Sequence, residues 1–176
     1  MPLLLLLRHA KASPAERGMS DRDRPLAPEG HRAAERIVAR IMEPALLPDR
    51  ILCSPARRTQ ETLAPLAARL GDRVVTLPEL YEQSEGHYLA PIAENGDAVE
   101  RLLVIGHNPA IHATALALLI SSDRGGRGSI ADGFPTGALA VIECPEGWSR
   151  LRPGTGRLVA FIRQRDLSGP DGEKTG

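Results

Sequence analysis

The sequence predicts an α/β fold: a single three-layer αβα domain built on a doubly wound, mostly parallel sheet with an antiparallel edge. Two short unbroken apolar runs, Leu3-Leu4-Leu5-Leu6-Leu7 and Leu102-Leu103-Val104-Ile105, lack the polar alternation of a half-exposed strand. A parallel strand covered by helices on both faces reads this way. Segments of helical spacing separate the strand candidates, the pattern of a sheet with crossover helices. Polar residues follow the strands directly: Arg8-His9 after the first, Ser54 to Arg58 after the second, His107-Asn108 after the fourth. Ligands of open α/β sheets bind outside the carboxyl ends of the strands, so these residues are expected to face one crevice.

Along the chain, the first strand gives way to a charged, turn-rich loop from Ser13 to Pro28. Pro28 suits the first turn of a helix, and Glu29 suits its positive dipole end. Ala34, Ile37, Val38, Ile41 and Met42 form one apolar stripe, which ends before Pro44. Arg50 to Cys53 is the second strand. Ser54 is then expected as N-cap and Pro55 as first residue of a helix reaching Leu70, closed by Gly71 and kinked or broken at Pro65. Arg73 to Leu77 reads as a third strand and Tyr81 to Asp97 as irregular or weakly helical. Beyond the Leu102 to Ile105 strand, Asn108 is expected to cap a helix that Pro109 opens and that reaches Ile120. The Gly-rich stretch from Ser121 to Gly137 reads as a mobile loop. Ala138 to Glu143 and Arg157 to Arg163 read as strands able to pair as an antiparallel hairpin. Residues 168–176 are polar and are expected to form a disordered tail.

A chain of 176 residues can bury one substantial core without metal or disulfide support. Lys plus Arg and Asp plus Glu both total 22, so no global field points to nucleic acid or an anionic membrane as partner. The leucine run falls far short of the roughly 18 apolar residues of a membrane span and lacks the basic flank and cleavage site of a signal peptide. Cys53 and Cys144, with no CxxC, fit a reducing cytoplasm rather than a disulfide framework. Aromatic residues at 3% argue against platforms that stack bases or sugars.

Two of the strand ends feed helices, whose unpaired N–H groups and positive dipole ends favour anions. Arg58 in a first helical turn opposes the dipole by a few tenths of a kcal/mol to about 1, a cost that a bound anion reverses. Arg57 has Glu61 one turn on and reads as structural. Guanidiniums beside His9 keep its imidazole neutral, and arginine forks match the oxygens of a phosphoryl group in transfer. Cys53 is out of register for a cysteine-phosphatase loop, because the position where that motif needs arginine is Thr59. His31, His87 and His112 lack metal-ligand spacing and read as solvated or core residues; no metal or cofactor is expected. Gly125-Gly126-Arg127-Gly128 follows no strand directly and has no P-loop lysine.

Leu7-Arg8-His9-Ala10, Ser54-Pro55-Ala56-Arg57-Arg58-Thr59-Gln60-Glu61-Thr62 and Gly106-His107-Asn108-Pro109, in this order, resemble the histidine phosphatase superfamily, and most of all its small SixA-type phosphohistidine phosphatases. Asp23-Arg24-Pro25-Leu26, Leu80-Tyr81-Glu82 and Phe134-Pro135-Thr136-Gly137-Ala138-Leu139 extend the likeness over nearly the whole chain. The usual Arg-His-Gly is Arg-His-Ala here, a departure frequent among SixA-like members. The resemblance implies a phosphatase domain over residues 1–167, His9 as nucleophile, and Arg8, Arg58 and His107 holding the phosphoryl group.

The expected activity is that of a metal-independent phosphatase with a phosphohistidine intermediate, acting on a phosphohistidine-bearing protein. A small-molecule phosphomonoesterase or mutase and a non-catalytic phosphate- or phosphoprotein-binding module are the alternatives. A pure binder has no need of a histidine held in line, which favours the enzyme. Between Leu80 and Gly106 the chain is too short and broken for a separate lid, so the crevice is expected to admit a side chain projecting from another protein. Glu82, beyond the third strand, is the candidate general acid, and Asn108 joins Arg8, Arg58 and His107 as a phosphate-binding candidate.

Overall fold

In the computed structural model, which describes residues 1–120 and 124–167, strands β1 (Leu3–Arg8), β2 (Arg50–Cys53), β3 (Val74–Thr76), β4 (Arg101–Gly106), β5 (Leu139–Glu143) and β6 (Arg157–Ile162) form one sheet in the order β3-β2-β4-β1-β5-β6. The first four of that order run parallel, while β5 is antiparallel to both β1 and β6. The expected doubly wound sheet with an antiparallel edge is therefore present. The leucine run occupies the sheet's interior and feeds both faces in alternation. Leu5 and Leu7 pack with Ile37, Val38 and Ile41 of α1 (Pro28–Ile41) and Leu63 and Leu66 of α2 (Arg57–Leu70). Leu4 and Leu6 pack with Ile92 of α4 (Leu89–Asn95) and Ile111 and Ala115 of α5 (Ala110–Leu118). Each fully buried leucine contributes roughly 1.5–3 kcal/mol, which makes the β1 run a large share of the core.

Several boundaries depart from expectation for identifiable reasons. Ser54 and Pro55 do not open α2: Ala56 is its N-cap, and the Ser54 hydroxyl is engaged with His107 instead. Helix α2 continues past Pro65 to Leu70. Asn108 does not cap α5, which begins at Ala110 with Pro109 in the cap position; the Asn108 amide donates to the Phe134 carbonyl. The segment from Tyr81 to Asp97 holds the end of α3 (Glu79–Glu82) and all of α4, organised around Tyr88, which is fully buried and donates to the Leu80 carbonyl at 2.7 Å. The Gly-rich stretch is partly helical, as α6 (Arg124–Ala131). Arg127 there donates to the Leu116 and Leu119 carbonyls at the end of α5, so tertiary contact overrides the poor helix propensity of glycine. A final short helix, α7 (Gln164–Leu167), follows β6. The tail expected at 168–176 lies outside the described residues, as do residues 121–123.

Glycines test the packing near the strand ends. A Cβ at Gly30 would collide with the main-chain oxygen of Lys11, which also accepts from Ala27 N at 2.9 Å. One at Gly71, where φ is −59°, would meet nothing. Gly30→Ala is expected to lower unfolding stability by about 1–3 kcal/mol. Gly71→Ala is expected to raise it by about 0.4–1 kcal/mol, since only the unfolded chain loses freedom. Urea denaturation of the two variants would measure both.

Candidate active site

The carboxyl ends of β1, β2 and β4 lie side by side, and the polar residues that follow them converge on a crevice of about 720 Å³. Arg8, His9, Arg58, Glu82, His107 and Asn108 all line it, so every site residue expected from the sequence is at the same cleft. Among the described residues no group of three or more His, Cys, Asp or Glu is placed to hold a metal ion. Cys53 and Cys144 are free and buried, and burial pushes both thiols up, which leaves them inert.

His9 follows β1 with its main-chain N–H on the Gly106 carbonyl of β4 at 3.1 Å. Its Nδ1 lies 2.7 Å from the Ala10 carbonyl, which can only accept, so Nδ1 carries the hydrogen and Nε2 keeps its lone pair. Burial lowers the pKa of His9 to about 4; the Ala10 bond works against this, and Arg58, Arg8 and Arg24 add to it. The guanidiniums act as the sequence suggests, but desolvation is the larger cause. The His107 ring centroid is 5.3 Å from that of His9. Its Nδ1 is 3.3 Å from Arg58 Nη2, which can only donate, so the His107 hydrogen is on Nε2, 2.7 Å from Ser54 Oγ. Burial, then His9 and Arg58, hold the His107 pKa down at about 3. Both imidazoles are therefore held neutral at pH 7.

Arg58 is buried in the first turn of α2. The anion that answers it is Asp21, in the turn-rich loop between β1 and α1. Arg58 Nη1 donates to the Asp21 carbonyl at 2.6 Å and Nη2 to Asp21 Oδ2 at 3.0 Å. Arg24 Nη1 at 3.1 Å and the Tyr81 hydroxyl at 3.2 Å also donate to the Asp21 carboxylate. Its burial would raise the Asp21 pKa, but the bonds and charge of Arg58, with Arg24 and Tyr81, hold it below the ordinary carboxylate value. Asp21, Arg24 and Tyr81 are thus site residues that spacing did not single out as such, while Ser54, expected at the crevice as a helix cap, is there as the partner of His107. The available signal was the alternating charge of Asp21-Arg22-Asp23-Arg24. Arg57, by contrast, points to Glu61 at 2.7 Å, as expected.

Arg8 is partly buried, and Nη1 donates to the Phe134 carbonyl at 2.8 Å, which also accepts from Asn108 Nδ2 at 3.0 Å. The following residues close onto β1, with Gly137 N on the Arg8 and His9 carbonyls. Gly137 has φ +70°, the left-handed conformation that favours glycine. Thr62 bridges the other side, accepting from Ala10 N at 3.0 Å and donating to the Arg58 carbonyl at 2.7 Å. The loop after β1 is thereby pinned to α2 and to the β5 entry. Glu82 stands exposed at the end of α3 on the crevice wall.

The sequence pattern of the histidine phosphatase superfamily (branch 1) matches residues 4–97. An uncharacterised protein of Mycobacterium tuberculosis is 35% identical over 161 residues, 88% of this chain and 98% of the relative. A solved structure designated a phosphohistidine phosphatase SixA of Agrobacterium tumefaciens superposes with a TM-score of 0.75 at 32% identity, covering 93% of this chain and 99% of the other. A second so designated, from Nakamurella multipartitia, gives 0.74 at 31% identity, covering 92% and 95%. With the family pattern matched over more than half of its length and its fold shared with these structures over more than nine-tenths of it, the chain belongs to the histidine phosphatase superfamily as a SixA-type histidine-nucleophile phosphatase.

Proposed function

We propose that the protein is a metal-independent protein phosphohistidine phosphatase in which His9 is the nucleophile. The observation that carries this reading is the His9 ring itself. Its Nδ1 is committed to the Ala10 carbonyl, and its neutral Nε2 is left for attack among Arg8, Arg58 and His107. Nε2 would attack phosphorus as the bond to the leaving group breaks, giving phosphohistidine at position 9; water then cleaves that P–N bond, releasing phosphate and restoring the imidazole. Arg8 and Arg58 neutralise the equatorial oxygens. A dianion bound between them opposes the costs that keep His107 neutral, so that, once Arg58 turns its Nη2 from His107 to the phosphoryl oxygens, His107 can take a proton at Nδ1 and donate to the phosphoryl group. Asn108 supplies a further amide at the Arg8 side. A crevice open at Glu82 and Tyr81, with no separate lid among the described residues, supports a substrate histidine carried on another protein.

His9→Ala is expected to lower kcat/KM on the order of 10³-fold or more with the fold intact, and radiolabel from a phosphohistidine donor should be trapped on His9 in the wild type only. Arg58→Ala should cost roughly 10²–10³-fold. Arg57→Ala should cost less than about fivefold, the scale of an exposed ion pair. These rates should be unchanged by EDTA; loss of activity restored by a divalent ion would overturn metal independence.

Glu82 is the proposed general acid. An alkoxide leaving group needs a proton in the transition state, worth about 10²–10⁴ in rate, whereas an imidazole departs near its own pKa of roughly 6.5. Glu82→Gln should therefore cripple hydrolysis of an alkyl phosphate and scarcely slow a phosphohistidine substrate. Unchanged rates on both would make Glu82 a bystander.

The depressed imidazole pKa of His9 also has a stability consequence. From its ordinary value of 6.5 down to about 4, the unfolded chain holds a proton on this residue that the folded chain does not. Stability is therefore complete above pH 6.5 and falls as the pH drops through that window. Urea midpoints of wild type should decline more steeply on acidification than those of His9→Asn. NMR of the imidazole nitrogens should show the Nδ1–H tautomer persisting well below pH 6.

A further inference from the structure

A second cavity, of about 710 Å³, adjoins the catalytic crevice and shares Arg8, Asn108 and Thr136 with it as a common wall. We propose that it is a substrate subsite for an acidic side chain near the phosphorylated histidine of the protein substrate, a proposal that rests on the phosphohistidine reading above. The cavity's ionisable lining is Arg8, Arg163 and Arg165 against Asp132, so its field selects an anion. Its apolar wall is unusual for this chain: the only two phenylalanines, Phe134 and Phe161, meet there edge to face at 5.1 Å. Arg163 lies over the Phe161 ring at 5.7 Å, and Asp166 Oδ2 accepts from its main-chain N at 2.8 Å and from Nε at 3.1 Å. The guanidinium is held by its Nε edge and its stacked face, while no Nη atom of it bonds within the described residues. A carboxylate can take that fork.

The partition between the two cavities is rigid. Phe134 O accepts from Arg8 and Asn108, and Gln164 Nε2 donates to the Gly137 carbonyl at 2.9 Å and the Ala33 carbonyl at 3.3 Å. A bound chain would meet a preformed surface, which reduces the ordering cost of recognition. Because Arg8 belongs to both walls, a substrate whose phosphoryl group sits on Arg8 has its neighbouring residues at the mouth of the second cavity. A side chain with a short apolar stem and a terminal carboxylate matches the phenylalanines and the arginine fork together.

The test uses histidine-phosphorylated peptides that differ only in having Glu, Gln or Lys at positions flanking the phosphohistidine. Wild-type kcat/KM should favour a Glu peptide over its Gln counterpart by roughly tenfold, the scale of a charge-assisted contact, and should disfavour Lys. In Arg163→Ala/Arg165→Ala the preference should vanish, while turnover of an aryl phosphate such as p-nitrophenyl phosphate, too small to reach the second cavity, stays at the wild-type rate and so reports an intact fold. A wild type that treats the peptides alike, or a double variant that keeps the preference, would overturn the subsite alone. Hydrolysis of the aryl phosphate with none of the peptides would overturn the phosphohistidine reading and the subsite with it.

Discussion

A guanidinium buried at the mouth of a sheet needs acceptors, and the way Arg58 obtains them organises the whole site. Its three contacts are the Asp21 carbonyl, the Asp21 carboxylate and the His107 ring. The first two draw the loop between β1 and α1 across the start of α2, and the third fixes the tautomer of His107, whose Nε2–H then donates to the Ser54 hydroxyl oxygen. Removing one partner from such an arrangement leaves a desolvated charge, which costs more than the contact itself contributes. The charged, turn-rich loop is therefore a structural part of the crevice, with Asp21 also holding Arg24 and Tyr81.

The electrostatics of the crevice are those of a site prepared for an anion. Arg8 and Arg58 contribute positive charge, and burial keeps both histidines neutral so that no further charge is stored there. The carboxylate of Asp21 takes up part of the Arg58 donor set, so the guanidinium is held in orientation for the phosphoryl group proposed to bind beside it. Preorganised donors of this kind stabilise charge in a transition state without reorganising during the reaction. The proposed nucleophile gains from the same environment, since a neutral Nε2 is available across the whole physiological pH range.

The segment from Phe134 to Gly137 joins the site to the antiparallel edge. Its carbonyls and amides are bonded to Arg8, His9, Asn108 and Gln164. β5 and β6 therefore do more than extend the sheet, because they deliver the wall that separates the two cavities and carry Phe161 and Arg163 into the second one.

The sequence by itself determined the layered fold, the strands that form the sheet's centre and the identity of the residues at their carboxyl ends. Those properties are local: an unbroken leucine run can be stable only between two covered faces, and a polar residue just after such a strand must emerge at its end. Arg57 and Arg58 could even be told apart, because Glu61 lies one helical turn from the first. The tertiary structure alone decided that Ser54 serves His107 rather than capping α2, that Asn108 serves Phe134 rather than capping α5, and that Asp21 is the counter-ion of Arg58. It also decided that a glycine-rich stretch becomes helix α6. In the first three cases the partner that satisfied a polar side chain lay tens of residues away, at a distance that no local preference encodes, and in the fourth the carbonyls that anchor Arg127 belong to the end of the preceding helix.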